Sequence, residues 1–418
     1  MSQPIHYTTD VLIAGAGPGG AATAIFLGQQ QVKHIIIDKA VFPRDKVCGD
    51  ALSGKTVSML KRINANWKEV FVQQPGKAII SNGIQFTGGG NTMLQVPFLL
   101  DNTRQHEPCG FVSRRVHFDH SLLQQIDSNF SQLISNCSLQ QIQQTNDGLL
   151  VTVMHNGQAK TIFTKMIVGA EGRDSIVAKK MAGHHMQPNH FSAGIRGYYS
   201  NVSGMHSQNF IELHFLNEVQ PGYLWIFPLA DGAANVGVGM LSKTIARKKA
   251  NLKQLMQDAI QQHPQLKQRF ANAQLQGQLQ GWGLPLGSTK RKLSGHRFLL
   301  TGDAASLIDP FTGEGIGNAL VSGLVAARVI QKAVAQQNFS ASFLQQYDTE
   351  IYKKLWSELK LSHYLQILSS KPALFNFVIK KASRSKELRE TISCMFENVD
   401  IRKKFTNPLF YLKILLNR

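Results

Sequence analysis

GAGPGG, residues 15–20, spaces three of its four glycines as an anion-binding turn needs them. Gly15 permits a tight turn after a strand, Gly17 lets a pyrophosphate approach the backbone, and Gly20 allows the next helix to close on the strand. The helix start adds partial positive charge. The flanks supply the context: Val11 to Ala14 reads as a strand, Pro18 suits a first helical turn, and a second apolar run ends on Asp38. That carboxylate follows Gly20 by 18 residues, where it can accept hydrogen bonds from ribose hydroxyls. Such a bracketed pattern marks a dinucleotide site without separating NAD from FAD.

A second stretch, HRFLLTGDAASLIDPFTGEGIGNALVSG, runs from a strand (Phe298 to Leu300) into Gly302-Asp303 and then a glycine-rich helix start. Asp303 can hold a sugar-like polyol, and Gly313, Gly315 and Gly317 let backbone N–H groups approach a flat, partly anionic ring. Alone it reads equally well as a strand-turn-helix with a capping Asp. Paired with the first stretch, it suggests one extended ligand gripped at both ends, as FAD would be. A third stretch, KMIVGAEGRDS, places Glu171 and Gly172 at a strand end, with Ser175 four residues after the acid.

Cys48, in RDKVCGDALS, puts a thiol between Lys46 and Gly49-Asp50. Arg44 and Lys46 are near enough in sequence to activate it in part, although a thiol can also be a small apolar residue in a reduced protein. Asp50 either influences this thiol or begins a helix. The other cysteines, Cys109, Cys137 and Cys394, show no C-x-x-C or metal-ligand spacing, so neither a disulfide framework nor a metal site is expected.

These residues need a scaffold, and the composition supplies one: 418 residues with 43% hydrophobic and 17% charged content are globular and span two or three domains. No basic leader and no apolar run of the ~18 residues a membrane span needs is present, so a cytoplasmic or peripheral protein is expected. The net charge of +19 favours anionic partners. Much of it lies at the end of the chain, where residues 351–418 hold 14 Lys or Arg against 5 Asp or Glu. The terminal NPLFYLKILLNR, from Asn407, reads as a helix docked on its own domain or one lying on the inner face of a membrane. No nucleic-acid motif accompanies the charge, so no nucleic-acid partner is expected.

PGYLWIFPLADGAANVGVGM reads as a hairpin turning at Asp231-Gly232. A two-residue loop there sets Trp225 opposite Val238 and Phe227 opposite Val236. Tyr223, Trp225, Phe227, Val236, Val238 and Met240 then share one face, while Gly237 and Gly239 lie opposite Ile226 and Leu224. A three-residue loop would reverse this arrangement.

The three glycine stretches, in this order, resemble the flavoprotein class typified by para-hydroxybenzoate hydroxylase, except that Glu171 stands where that class usually has Asp. SRRVHFDHSLL is similar to its Arg-x-x-Phe-Asp segment, which implies that Arg115 contacts the flavin or its phosphates. Within the class, Tyr-x-Trp-x-Phe-Pro, eight residues and Gly-x-Gly resembles the signature of the geranylgeranyl reductase family at every fixed position. The likeness spans residues from about 8 to 340, including FPRDKVCGD and GWGLPLG. It implies an isoprenoid or related lipid chain held by Tyr223, Trp225, Phe227, Gly237 and Gly239, with Cys48 near the reactive edge of the flavin. It also implies flavin contacts from Gly15, Gly17, Pro18, Gly20, Asp38, Lys39, Cys48, Gly49, Arg115, Glu171, Gly172, Gly302, Asp303, Pro310, Gly313, Gly315, Gly317 and Asn318. Asp50 departs from the second glycine often seen in the family. Flavin halogenases of the class carry Trp-x-Trp-x-Ile-Pro instead, which disfavours halogenation.

The expected fold is α/β: a Rossmann-like FAD-binding domain (1–75, 105–185 and 285–340), an inserted antiparallel β-sheet substrate domain (76–104 and 186–284), and a helical, basic C-terminal region (341–418). The expected reaction saturates C=C bonds with reduced flavin, with Cys48, Tyr223 and Trp225 as catalytic groups. A monooxygenase or epoxidase is the alternative enzyme, and a lipid carrier with structural FAD the non-catalytic one. No second nucleotide fingerprint exists, so the reductant is NAD(P)H in a shallow groove or a protein electron donor.

Overall fold

The computed structural model describes residues 4–88, 92–98 and 108–384. Cys394 and the terminal helix expected from Asn407 lie outside the described residues.

The chain opens with strand β1 (Ile5–Ala14), helix α1 (Pro18–Gln29) and strand β2 (His34–Ile37). It leaves this unit for a first hairpin, β3 (Gly83–Thr87) and β4 (Met93–Pro97), and returns through α2 (Arg115–Leu123), β5 (Ser131–Ile134) and β6 (Gln158–Gly169). A second excursion builds β7 (Phe191–Ser200), β8 (Ile211–His214), β9 (Gly222–Pro228), β10 (Ala234–Leu241) and β11 (Gln274–Pro285). Strand β12 (Phe298–Leu300) and helix α3 (Ile316–Ala335) rejoin the first unit, and α4 (Gln346–Ser369) and α5 (Pro372–Arg384) follow.

In the first unit β12, β6, β1, β2 and β5 lie side by side and parallel. A hairpin, Cys137–Gln144 and Leu149–His155, extends antiparallel from β6. Central parallel strands are covered on both faces and read as continuous apolar runs. Val11 to Ala14 and Ile36 to Ile37 are accordingly sealed from solvent. Helix α1 is rich in Ala and Gly because α3 lies directly on it: a Cβ at Gly323 would sit 2.7 Å from the Ala22 Cβ. The expected Rossmann-like α/β unit is therefore what forms.

The second sheet runs β11, β7, β10, β9, β8, β3, β4. It departs from the expected antiparallel sheet at one ladder, because β8 pairs with β3 in parallel, Leu213 facing Phe86. The reason is connectivity: β3 and β8 come from excursions more than a hundred residues apart, and a parallel pair needs such a long crossover rather than a turn.

The hairpin of β9 and β10 also differs from the two-residue expectation. Leu229 N–H donates to the Ala233 carbonyl at 2.8 Å, leaving Ala230, Asp231 and Gly232 as a three-residue loop with Gly232 at φ +77°. The register moves by one, so that Trp225 faces Gly237, Tyr223 faces Gly239, Leu224 faces Val238 and Ile226 faces Val236. The two faces separate accordingly. Leu224, Ile226, Val236, Val238 and Met240 form a core with Met256 and Leu266 from the helices Leu252–Gln262 and Pro264–Arg269. Tyr223, Trp225 and Phe227 point to the opposite side, toward the first unit.

The C-terminal helices close the structure. On α4 the buried Tyr347 hydroxyl donates to the Leu300 carbonyl at 2.6 Å. On α5 Phe375 and Ile379 pack into the core beneath β3 and β4.

Candidate flavin and substrate site

At the end of β1 the chain turns through Gly15 at φ +101°, and a Cβ there would sit 2.3 Å from the Ala170 carbonyl oxygen, so only glycine fits. Helix α1 then starts at Pro18 with no side-chain cap and no acid in its first turn, leaving its N–H groups and dipole directed into a groove of about 680 Å³. The wall at Gly17 is open: a Cβ there would have nothing nearer than Arg44 Nη2 at 3.9 Å. Asp38 lies at the end of β2, where its Oδ2 accepts from Ala16 N–H at 2.7 Å and its Oδ1 from Ala40 N–H at 2.8 Å.

Gly15, Gly17, Pro18, Asp38, Lys39, Arg115, Glu171, Gly172, Gly302 and Asp303 all line this groove. Asp303 is paired with Lys46 Nζ at 3.1 Å. Arg115 is buried and clamps Asp119 through Nε at 2.7 Å and Nη2 at 2.8 Å, while Arg44 Nη1 reaches the same carboxylate at 2.7 Å. Those two guanidiniums hold the Asp119 carboxyl below the usual range, against its burial. The longer acid Glu171 turns its carboxylate onto the helix Ile176–Met181: Oε1 accepts from Ile176 N–H at 3.0 Å and Oε2 from Ser175 Oγ at 2.5 Å. It serves there as a cap.

Other expected contacts sit behind the groove. A Cβ at Gly20 would fall 1.8 Å from the Gly15 carbonyl oxygen, which makes Gly20 the closure between helix and strand. The Gly317 N–H is taken by Glu314 Oε1 at 2.5 Å. Asn318 is a buried brace, accepting from Lys55 Nζ at 2.7 Å and donating to the Leu307 carbonyl at 2.7 Å. These positions shape the cradle from the rear.

A second, smaller cavity of about 190 Å³ is walled by Tyr223, Trp225, Phe227, Leu213, Phe215 and Phe311. It meets the groove at Cys48 and Gly49, under Trp225, and along Gly313 and Gly315. Pro310 and Gly239 belong to its wall, whereas Gly237 lies under the indole: a Cβ there would be 2.2 Å from Trp225 Cζ2. The Tyr223 hydroxyl donates to the Thr312 carbonyl and so ties the aromatic strand to the loop before α3. That loop is anchored by Asp309, whose Oδ1 accepts from Phe311 N–H at 3.0 Å and Thr312 N–H at 2.8 Å, and by Gln366, which donates to the Pro310 carbonyl at 2.8 Å.

Of the two readings of Cys48, a partly activated thiol or a small apolar residue, its surroundings favour an unactivated thiol. Burial pushes it up, and this outweighs the opposing Arg115 and Lys46. Arg44 and Lys46 are occupied by Asp119 and Asp303. The thiol therefore stays protonated at neutral pH.

Sequence reasoning did not assign Asn235, Tyr198, Arg196, Phe215 or Phe311 to the site. Phe215 belongs to an alternating strand, NFIELHFLN, which placed it in the sheet without showing which face it takes. Asn235 and Phe311 lie inside the quoted hairpin and the second glycine stretch without marking themselves there, and Tyr198 and Arg196 carry no motif and join them only in three dimensions.

An uncapped helix start over a glycine cradle, an acid at the end of β2 and an apolar chamber at the far end define a dinucleotide-binding protein with a separate apolar cavity. The chain belongs to the FAD-binding domain family, whose model matches residues 8–357. The open Gly17 wall and the free helix start fit FAD, which the residues lining this groove would hold. It is 28% identical over 377 residues to the digeranylgeranylglycerophospholipid reductase of Methanococcus vannielii, covering 88% of this chain and 89% of that protein. It is 25% identical to the menaquinone reductase of Mycolicibacterium smegmatis, with 86% of each chain covered. In structure it is similar to a geranylgeranyl bacteriochlorophyll reductase-like protein of Thermoplasma acidophilum, with TM-score 0.78, 23% identity, and 96% and 99% of the two chains covered.

Proposed function

We propose that this chain is an FAD-dependent reductase that saturates C=C bonds in an isoprenoid or related lipid chain. The observation that carries this reading is the junction: an apolar, aromatic-walled cavity opens onto the glycine-lined groove at Cys48 and Trp225. The names of its relatives as reductases of prenylated lipids support it.

When bound and reduced, FAD supplies a hydride to one alkene carbon. The chain's own residues do the rest. An isolated alkene has no conjugated acceptor, so a proton must reach the other, less substituted carbon, and tertiary cation character develops on the carbon that would take the hydride. Cys48, which lines both cavity and groove, would give that proton from its Sγ–H or through a nearby water. The faces of Trp225 and Tyr223 stabilise the developing charge by about 0.5–2 kcal/mol per ring. Leu213, Phe215 and Phe311 exclude water and seat the chain.

Access for the lipid favours a membrane surface. Tyr364, Ile367, Leu374 and Phe377, on α4 and α5, are large apolar side chains between 43% and 56% exposed. Lys360, Lys371, Lys380 and Lys381 flank them, and Gln366 and Ser369 of α4 line the substrate cavity. No described helix is long and apolar enough to cross a membrane. The reductant is NAD(P)H or a protein donor.

Product mass tests the reading. Anaerobic incubation of the holoprotein with a reductant and a prenylated lipid is expected to add two hydrogens per event and no oxygen. A product that gains one oxygen and disappears without air would replace it with a monooxygenase. A flavin that no donor reduces, beside a lipid that still binds, would replace it with a carrier.

A further inference from the structure

Asp50 combines three unusual features. Its side chain is fully buried, its backbone adopts φ +68°, which is uncommon for any residue but glycine, and its Oδ1 has no hydrogen-bond partner in the chain. Such a combination persists only where the surroundings over-determine it, and it gathers at functional sites.

Its other oxygen has two partners. Oδ2 accepts from the Tyr198 hydroxyl at 2.9 Å and from Asn235 Nδ2 at 2.8 Å. The same Asn235 Nδ2 donates to the Cys48 carbonyl at 2.7 Å, and Asn235 Oδ1 accepts from Trp225 Nε1 at 2.9 Å. An amide can turn over and exchange its oxygen for its nitrogen. With two acceptors on one side and an indole donor on the other, Asn235 has only one orientation that satisfies all three. Tyr198 is held in turn by guanidiniums on its ring, Arg114 at 4.2 Å and Arg196 at 4.1 Å from the centroid.

We propose that Asp50 is a positioning residue of the reaction: through Asn235 it fixes the Trp225 indole and the Cys48 carbonyl, joining cavity wall and thiol-bearing loop in one geometry. This rests on the reading of that cavity as the lipid site. The argument is geometric. Without an acceptor at position 50 the Asn235 amide keeps only the Cys48 carbonyl on that side, one of its two N–H donors is left without a partner, and its hold on Trp225 Nε1 and on the indole over Gly237 and Gly239 loosens. A misplacement of ~1 Å at a reacting centre can cost about a hundredfold in rate.

The test pairs turnover with a signal that needs no lipid. The holoprotein carries 5-fluorotryptophan at its four tryptophans, and the Trp225 resonance is assigned with Trp225→Phe. Asp50→Ala and Asn235→Ala are each expected to shift or split the Trp225 resonance while leaving those of Trp67 and Trp356 in place. Both should lower kcat about ten- to a hundredfold with KM and FAD affinity within about twofold, and the double variant should lose no more than either single one. Asp50→Asn, which keeps an oxygen for both donors, should restore the resonance and most of the rate. An unmoved Trp225 signal in Asp50→Ala, additive losses in the double variant, or an Asp50→Asn variant as impaired as Asp50→Ala would each overturn the proposal. Should Asp50→Ala fail to fold, Asn235→Ala and Asp50→Asn decide by the same readouts. If the parent reduces no lipid, the proposed function fails, while the fluorine signal still decides the role of Asp50.

Discussion

Gly237 and Gly239 are neighbours on one face of β10, and replacing each with alanine gives a matched test of how the aromatic row is seated. At Gly237 the new methyl would lie 2.2 Å from Trp225 Cζ2, 2.6 Å from its Cε2 and 2.5 Å from the Ile195 carbonyl oxygen. The carbonyl cannot recede, since Ile195 lies in the adjoining strand of the ladder. The indole must therefore move by about 1 Å or more and release Asn235. Overpacking costs about 1–3 kcal/mol and the lost hydrogen bond about 0.5–1.5 kcal/mol, offset by about 0.5–1 kcal/mol from replacing a strand glycine. The net is a loss of about 2 kcal/mol. At Gly239 the nearest atom is Trp225 Cζ3 at 3.7 Å, an ordinary contact, and the change is expected to fall within about 0.5 kcal/mol. Denaturant unfolding of the two FAD-loaded variants, with near-ultraviolet circular dichroism to follow the indole, measures the difference. Equal stabilities, or a larger loss at Gly239, would refute the register on which the cavity is built.

Cys48→Ala is expected to retain FAD and lose about a hundredfold or more in turnover, and parent-like turnover would remove the thiol from the mechanism. Because burial raises this thiol, alkylation of Cys48 should be slow at pH 7 and accelerate only in alkaline buffer. For Asp50, burial lifts the carboxyl from 3.8 to about 6, against Asn235, Tyr198 and Arg196 and with Asp45. A raised acid stabilises the fold fully below about pH 4 and loses that contribution as pH climbs through 6, at most about 3 kcal/mol for this rise. Asp50→Asn should thus gain unfolding free energy relative to the parent between pH 4 and pH 7, and a difference that stays flat with pH would contradict the buried acid. Gly20→Ala, whose methyl would meet the Gly15 carbonyl oxygen at 1.8 Å, should yield protein without flavin, seen as loss of its visible absorbance.

Much of the cofactor cradle was legible because its parts are local. Gly15, Pro18 and Gly20 act within one turn, and the acid that serves them ends the next strand. The aromatic row was legible as a row, and its register was not. Asp231-Gly232 has the composition of a two-residue turn, yet the Asp231 side chain accepts from Ala233 N–H at 3.2 Å and Gly232 takes the left-handed position of a three-residue loop. That single extra residue exchanges the partners of every side chain in the hairpin. The parallel pairing of β3 with β8 and the meeting of Asp50, Asn235 and Tyr198 were hidden for a different reason. Each joins segments far apart in the chain, where neither periodicity nor motif spacing carries information.

The hold of α4 on the loop before α3 changes how the end of the chain should be regarded. Ser362 donates to Asp309 and Gln366 to the Pro310 carbonyl, both from positions past the last residue of the family match. The same loop receives the Tyr223 hydroxyl. A break or swap of sequence after the flavin-binding portion would therefore reach the chemistry through a buried acid stripped of its hydroxyl and a loop with one anchor fewer. Hybrids between this chain and its relatives should keep Ser362 and Gln366 with the residues they secure and Phe375 with the Phe215 and Phe311 rings it packs on, so joints placed beyond Ile379 are the ones expected to leave the pocket intact.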